Sequence, residues 1–185
     1  MTISIGIILG IILISAITII SIYNGFIRKR SMVHEAWSGI DIQLKRRYNL
    51  IPALIETVKS YAEHEEKIFA NVTKSREKCL TGTTDMEKRS VEENQLTRGL
   101  RSVFALAENY PDLKANSNFQ KFQEDLNEIE EQIQLARRYY NGSTRELNIS
   151  VDSFPSNIIA NIFNFKKEEF FEIEETQKLM PEVKF

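Results

Sequence analysis

Between Met1 and Ile27 this chain carries no charged side chain, and the whole 185-residue sequence has one cysteine, four prolines and seven glycines. Each shortage excludes something. A lone Cys79 cannot close an intrachain disulfide, which fits a reducing compartment. Scarce glycine and proline leave long stretches without helix breakers, and no strand-like alternation appears in the helical stretches that result. There is no glycine-rich phosphate loop and no nucleophile elbow. Charge of one sign is not in excess either. The 24 basic and 26 acidic residues nearly cancel, so no broad basic field argues for nucleic acid as a partner.

What is present begins with Ile3 to Tyr23, a mostly isoleucine run. About 20 apolar residues suffice for a helix to cross the hydrocarbon core of a bilayer. A cleaved signal peptide would need a basic start, a shorter apolar run of ~7–15 residues and a small-residue cleavage site. Met1-Thr2-Ile3-Ser4 has no side-chain charge and Tyr23-Asn24-Gly25-Phe26 offers no such site, so an uncleaved anchor is expected. Arg28-Lys29-Arg30 follow it directly. Basic residues stay on the cytoplasmic side, which places the N-terminus outside and the rest of the chain in the cytoplasm. Gly6 and Gly10 form a G-x-x-x-G spacing, which can join two membrane helices but is also common where nothing is joined.

The remainder reads as helix. Val33, Ala36, Ile40, Leu44, Ile51, Ile55, Val58 and Ala62, continued by Phe69 and Val72, line one face of a stretch from Ser31 to Cys79. Pro52 lies inside it. Either Pro52 kinks one helix, or Asn49 caps a new one with Pro52 in its first turn. The spacing predicts a second helix over Asp85–Asn109, with Leu96, Leu100, Val103, Phe104 and Ala107 as its stripe and Thr84 with Glu87 as a capping box. Tyr110-Pro111 ends it. A third helix is predicted over Ser117–Asn148, where Phe119, Phe122, Leu126, Ile129, Ile133, Ala136, Tyr140 and Leu147 form a coiled-coil-like seam. Ser117 with Gln120 reads as its capping box, and Gly142 as a weak spot. Loops are expected at Leu80–Thr84 and Tyr110–Asn116. After a turn-rich Ser150–Asn157, Ile158–Phe163 forms a short apolar helix, and Phe170 and Phe171 stand among acids. The segment reads as packed on the bundle or else as an exposed aromatic surface for a partner, and its acids weigh against an anionic lipid surface.

Several blocks form a pattern together. Ala36-Trp37 and Ile40-Asp41-Ile42-Gln43-Leu44-Lys45-Arg46-Arg47-Tyr48-Asn49-Leu50-Ile51-Pro52 are followed by Glu56-Thr57-Val58-Lys59 and Tyr61 with His64-Glu65. Then come Ala107-Glu108-Asn109-Tyr110-Pro111-Asp112-Leu113-Lys114-Ala115-Asn116 with Asn118-Phe119. Ala136-Arg137-Arg138-Tyr139-Tyr140-Asn141, Phe154-Pro155-Ser156-Asn157 and a closing Pro181, Val183 and Phe185 complete the set. In this order, over nearly the whole chain, they resemble the LemA family. Asn49, Ala53, Ser117 and Gly142 depart from its usual pattern. Asn49 drops a charge, which weighs against any role needing an acid there. The resemblance implies a membrane-anchored cytoplasmic helical bundle and brings no reaction with it.

Three constellations were weighed for chemistry. His64-Glu65 is the best enzymatic candidate, since histidine titrates near neutrality and binds metals. A helical metal site needs a second ligand three or four residues away, and Ser60, Tyr61, Ile68 and Phe69 occupy those positions. A solvated histidine is the simpler reading. Glu124, Asp125, Glu128 and Glu131 suggest a carboxylate-bridged bundle, but that class needs Glu-x-x-His, absent here. Those acids read as a solvated face. Cys79 has no paired histidine or second cysteine and reads as inert. Lys45-Arg46-Arg47 is the densest basic patch. On a straight helix Arg47 sits roughly 30 Å beyond Ile27, against a screening length of about 8 Å. The patch therefore reads as protein-binding or as an internal salt bridge, whereas Arg28-Lys29-Arg30 would meet lipid. Tyr48, Tyr110, Tyr139 and Tyr140 are candidates for polar contacts near helix ends, with core packing the default.

The expected fold is all-α: an N-terminal transmembrane helix, then a long antiparallel bundle of three to four helices, then a short C-terminal helix and tail. The expected division is 1–27 anchor, 28–149 cytoplasmic bundle and 150–185 helix and tail packed on it. The expected function is a LemA-type membrane scaffold or adaptor without catalysis, cofactor or metal. Expected partners are the lipid bilayer through residues 3–23 and other proteins, with self-association open and no nucleic acid. The alternatives are a metal-dependent or hydrolytic enzyme around His64 and Glu65, and a self-associating structural protein. Candidate interaction residues are Arg46, Arg47, Tyr48, His64, Glu65, Tyr110, Lys114, Arg137, Arg138 and Phe154.

Overall fold

The structure is a computed structural model that describes residues 2–81 and 86–171. Among these residues there are six helices and no strand: α1 (Thr2–Lys59), α2 (Glu66–Thr81), α3 (Met86–Ala107), α4 (Pro111–Ala115), α5 (Ser117–Asp152) and α6 (Ser156–Ile162). The all-α expectation holds.

Two packing units share the long helices. One comprises Met1–Ser38 with Arg138–Glu169, and the other comprises Gly39–Arg137 joined by Phe170 and Phe171. In the second, four helices alternate in direction. Tyr48 on α1 receives Arg76 on α2, while Lys59 lies near Phe69, so α1 and α2 run antiparallel. On α3, Arg89 meets Asp41 and Glu93 meets Arg47, so α3 runs with α1. The Phe104 and Phe119 rings, 5.7 Å apart, bring the end of α3 to the start of α5. The result is an up-down-up-down bundle. Its core includes Ile40, Leu44, Ile51, Leu54, Val58, Val72, Leu96, Val103, Leu113, Ile129 and Ile133, all buried. Gly99 lets α3 come close to α2: a Cβ there would stand 3.1 Å from Val72 Cγ2.

In the first unit, α1 pairs with the end of α5 and with the segment after it. Trp37 packs edge-on against Tyr140 at 5.6 Å, and Phe26 stacks on Phe165 at 4.7 Å. Earlier in α1, the side chains from Ser4 to Ile20 are exposed, apart from half-covered Gly10. That stretch is long and apolar enough to cross a membrane.

One open choice is decided in favour of the continuous helix, and three local expectations need correction. α1 continues through Pro52 to Lys59, so Asn49 does not cap a new helix. The helix stops at Lys59 instead, and the single stretch expected over Ser31–Cys79 is two helices. At its end Ser60 Oγ donates to the Thr57 carbonyl at 2.7 Å, and Tyr61 and Ala62 N–H both turn back to the Val58 carbonyl. The polar run from Glu63 to Lys67 then offers no apolar residue to hold another turn on the seam. The loop expected at Tyr110–Asn116 holds α4, opened by Pro111 where a proline is tolerated in a first turn. The cap of α5 is Asn116, not Ser117: its Oδ1 accepts from the N–H groups of Asn118 at 2.9 Å and Phe119 at 3.1 Å. The Thr84–Glu87 capping box, most of the Leu80–Thr84 loop and the closing Pro181, Val183 and Phe185 fall outside the described residues and side chains.

Candidate functional site

Charged side chains at seam positions of α1, α3 and α5 are drawn into the four-helix unit. Arg47 is only 1% exposed and Glu93 is fully buried. Arg47 follows Ile40 and Leu44 on the α1 stripe, and Glu93 precedes Leu96 and Leu100 on that of α3, so the helical repeat carries both inward. Arg47 Nη2 pairs with Glu93 Oε2. Arg47 Nη1 donates to Glu130 Oε2 at 3.0 Å and to Thr97 Oγ1 at 3.1 Å. Tyr48 donates its hydroxyl to Glu93 Oε1. Gln134 Nε2 fixes the other oxygen of Glu130 at 3.1 Å, and Thr97 Oγ1 donates to the Glu93 carbonyl at 3.0 Å.

Arg137 extends the cluster. It is buried on α5, and its guanidinium lies 4.6 Å from the centroid of the Phe171 ring. Burial lowers its pKa from the ordinary arginine value, with Glu130 acting in the opposite direction. Two arginines and two glutamates make the cluster neutral as a whole. The Nε atoms of Arg47 and Arg137 have no hydrogen-bond partner among the described residues.

The cluster's neighbours are held in their protonated forms. Burial, then the charge of Glu93, raises the Tyr48 phenol well above its usual value, so Tyr48 is a donor to Glu93 and not a base. Burial, again followed by Glu93, pushes the Cys79 thiol up to about 12. The thiolate is the reactive form of cysteine, so this site suppresses thiol chemistry at neutral pH. Around it, Asp41 bridges Lys45 and Arg89 at 2.7 Å each. Burial works against its charge, but these two partners outweigh it and hold the carboxyl below its usual value.

Of the ten sequence candidates, the structure brings Arg47, Tyr48 and Arg137 together. For Arg47, the internal salt bridge is the reading it supports. Arg46 is exposed and donates to Gln43 Oε1 at 3.1 Å. His64 is exposed and Glu65 half-buried in the turn between α1 and α2. Tyr110 is half-buried and Lys114 exposed, at either end of α4. Arg138 is exposed, and Phe154 is 80% exposed. Sequence reasoning missed Glu93, Glu130 and Thr97. The signal for Glu93 was its place three residues before Leu96 on an otherwise apolar stripe.

Among the described residues no group of three His, Cys, Asp or Glu side chains is placed to hold a metal ion. The described surface does carry an open groove of about 950 Å³ beside the α1–α2 turn. Buried Phe69 forms its floor, and Lys59, Glu63, Glu66, Lys74 and Glu77 form a rim of mixed charge.

Comparison with known proteins gives these features a family context. The chain is 22% identical over 180 residues to magnetosome protein MamQ 1 of Paramagnetospirillum magneticum, covering 84% of this chain and 66% of that protein. It is 21% identical over 179 residues to magnetosome protein MamQ of Magnetospirillum gryphiswaldense, covering 83% and 66%. It thus spans slightly less than two thirds of these relatives. It is also 24% identical over 158 residues to protein LemA of Metamycoplasma hominis, covering 84% of this chain and 71% of the relative. The profile of the LemA family matches residues 36–185, which takes in both the Arg47–Glu93 cluster and α6. The chain therefore belongs to the LemA family.

Proposed function

We propose that this LemA-family chain is a single-pass membrane protein that acts by binding other proteins and catalyses no reaction, with its four-helix unit in the cytoplasm. One observation carries the reading: the charged and thiol groups of the buried cluster are tied up inside the bundle, while the surface carries an open groove of mixed charge. Arg47, Tyr48, Glu93 and Glu130 satisfy one another inside the bundle, and Cys79 is held as a thiol. The Phe69 groove, by contrast, is open and its rim carries both signs of charge, a surface on which a protein segment can find both apolar and polar contacts.

The anchor reading rests on the exposed isoleucine-rich start of α1. The cytoplasmic placement rests on Arg28-Lys29-Arg30 directly after it. The partner of this chain is characterised only by the groove's mixed chemistry.

Photoreactive residues at Ala70 and Thr73, both in the groove, test the reading by crosslinking in living cells. A discrete set of protein adducts is expected, and Phe69→Ala or Lys74→Glu should remove it. Adducts indifferent to those substitutions, or none at all, would overturn it. Sidedness is read separately by labelling an introduced Lys114→Cys in a Cys79→Ser background with an impermeant maleimide. Protection in intact cells is expected, and labelling there would reverse the orientation.

A further inference from the structure

The segment after α5 carries large apolar side chains that the described chain leaves uncovered. Phe154 is 80% exposed, Ile162 67% and Ile158 50%. They recur every four residues, which places Ile158 and Ile162 along one face of α6 with Phe154 just before it. The opposite face is already in use, since Ile159 and Ala160 are buried. A seven-residue helix apolar on both sides marks a contact surface.

Its position identifies what covers it. Phe163 and Phe165, which follow α6, pack edge-on against Tyr23 with ring centroids 4.8 and 5.7 Å away. Phe165 also stacks on Phe26, and the Arg30 guanidinium lies 5.5 Å from its centroid. Tyr23 closes the apolar stretch of α1, and Arg28-Lys29-Arg30 come next. The end of α6 is therefore tied to α1 where apolar sequence gives way to basic sequence, the level at which tyrosine and arginine sit in membrane helices.

α5 reaches the same level. Lys29 Nζ donates to Ser150 Oγ and to the Glu146 carbonyl, and α5 ends two residues later at Asp152. The chain turns there: Ser156 Oγ donates to the carbonyls of Ser150 at 2.7 Å and Ser153 at 2.9 Å. Lys166 and Lys167, next after Phe165, are exposed, but Lys167 pairs with Asp152 at 2.7 Å and Glu168 and Glu169 follow, so the cations of this level are those of the basic triplet.

We propose that α6 is an interfacial membrane helix. Phe154, Ile158 and Ile162 insert into the boundary between lipid headgroups and acyl chains, so the protein grips the bilayer with a span and a lateral foot. This rests on the reading that residues 3–23 cross a bilayer. The occupant is lipid because α6 is tied, through Phe163 and Phe165, to α1 where its exposed apolar stretch ends, and Arg28-Lys29-Arg30 stand at that end.

The test is depth-dependent fluorescence quenching. Full-length protein with Trp37→Phe and one introduced tryptophan is reconstituted in phosphatidylcholine–phosphatidylglycerol vesicles with brominated acyl chains. With bromine near the carbonyl end, Phe154→Trp and Ile158→Trp should each lose emission by about twofold or more, as expected of side chains at this depth, while Lys114→Trp keeps its emission. Ile12→Trp, quenched by mid-chain bromine, reports the span independently. Quenching at Ile12 without quenching at Phe154 and Ile158 would overturn the foot and leave the anchor standing. No quenching at any of them would remove both. A second copy of the chain is the rival occupant. With Cys79→Ser, Phe154→Cys joined into dimers by a short bismaleimide, together with unquenched Phe154→Trp, would assign the face to self-association instead. The introduced tryptophans and Phe154→Cys sit at exposed positions, and circular dichroism confirms that each variant, with its Trp37→Phe or Cys79→Ser background, retains its helices.

Discussion

α1 and α5 serve both packing units, and different chemistry holds them in each. In the unit of Met1–Ser38 and Arg138–Glu169, aromatic pairs stand out, Trp37 with Tyr140 between α1 and α5 and Tyr23 and Phe26 with Phe163 and Phe165 after α6, beside the hydrogen bonds of Lys29 to α5. In the four-helix unit, the same two helices meet through ions, Arg47 against Glu130 and, through α3, Glu93. Aromatic packing is tolerant of small shifts, whereas a buried ion pair is costly unless its geometry is met. The difference suggests a division of tasks. The aromatic contacts join α1, just past its exposed apolar stretch, to the segment after α6, and the ionic contacts demand one geometry of α1, α3 and α5.

The largest effect expected from breaking this contrast is at the ionic end. Glu93→Ala leaves Arg47 buried with one carboxylate fewer, and removing one partner of a buried pair costs about 3–5 kcal/mol. Thermal unfolding followed by circular dichroism should show it. A double variant, Arg47→Met with Glu93→Met, should regain most of that loss, because the buried cation leaves together with its partner and Glu130 still faces Arg137. If Glu93→Ala unfolds no more readily than the parent, the cluster is not a stabilising lock.

Next comes the aromatic end. Phe165→Ala empties a site against Tyr23 and Phe26 and should cost about 3 kcal/mol, at the lower end of the range for buried phenylalanine. Hydrogen exchange should localise the loosening to residues 138–169 and spare the four-helix unit. Equal loosening in both would show that the two chemistries are not separable.

These two sites also show what could be read in advance. Helix existence was legible because apolar residues recur at three and four over Ser117–Asn148 and over Asp85–Asn109. Pro52 left two readings open in the sequence, and its exposed position on α1 lets the helix pass through it. The break at Ser60–Glu65 was underread because it contains neither glycine nor proline. The seam of α5 slipped by one: Ala136 is half-buried and Arg137 is buried. An apolar-only stripe hides such residues. Treating a charged residue at a stripe position as a buried partner would have found Glu93 and Arg47 together. Phe154 was legible as an aromatic in a turn, but its surroundings depend on the distant contact of Phe163 with Tyr23, which no local pattern encodes.

A smaller effect tests the close approach of α2 and α3. Gly99→Ala gains helix propensity of about 1 kcal/mol, but the new methyl meets Val72 Cγ2 at 3.1 Å. Val72 is buried and its β-branched rotamer is stiff, and overpacking costs about 1–3 kcal/mol. A net loss of about 1 kcal/mol is expected in denaturant titration, and a gain would mean the interface has slack.

The smallest effect lies at the partly exposed edge of the ionic unit. Asp41 has a lowered pKa in the fold, so its contribution is present above its ordinary value of 3.8 and is lost as pH falls through the folded value. Asp41→Asn should therefore cost below about 1 kcal/mol at neutral pH, as for other partly exposed pairs, and should flatten the acid limb of stability against pH. An unchanged acid limb would show that Asp41 does not couple to folding.

We propose that the four-helix unit meets proteins while the aromatic unit meets lipid. Parallel photocrosslinking in living cells measures this directly, with one probe at Thr73 in the Phe69 groove and one at Phe154 before α6. The prediction is discrete protein adducts from Thr73, abolished by Phe69→Ala, and lipid adducts from Phe154. Lipid or no adducts from Thr73, with protein adducts from Phe154, would contradict it.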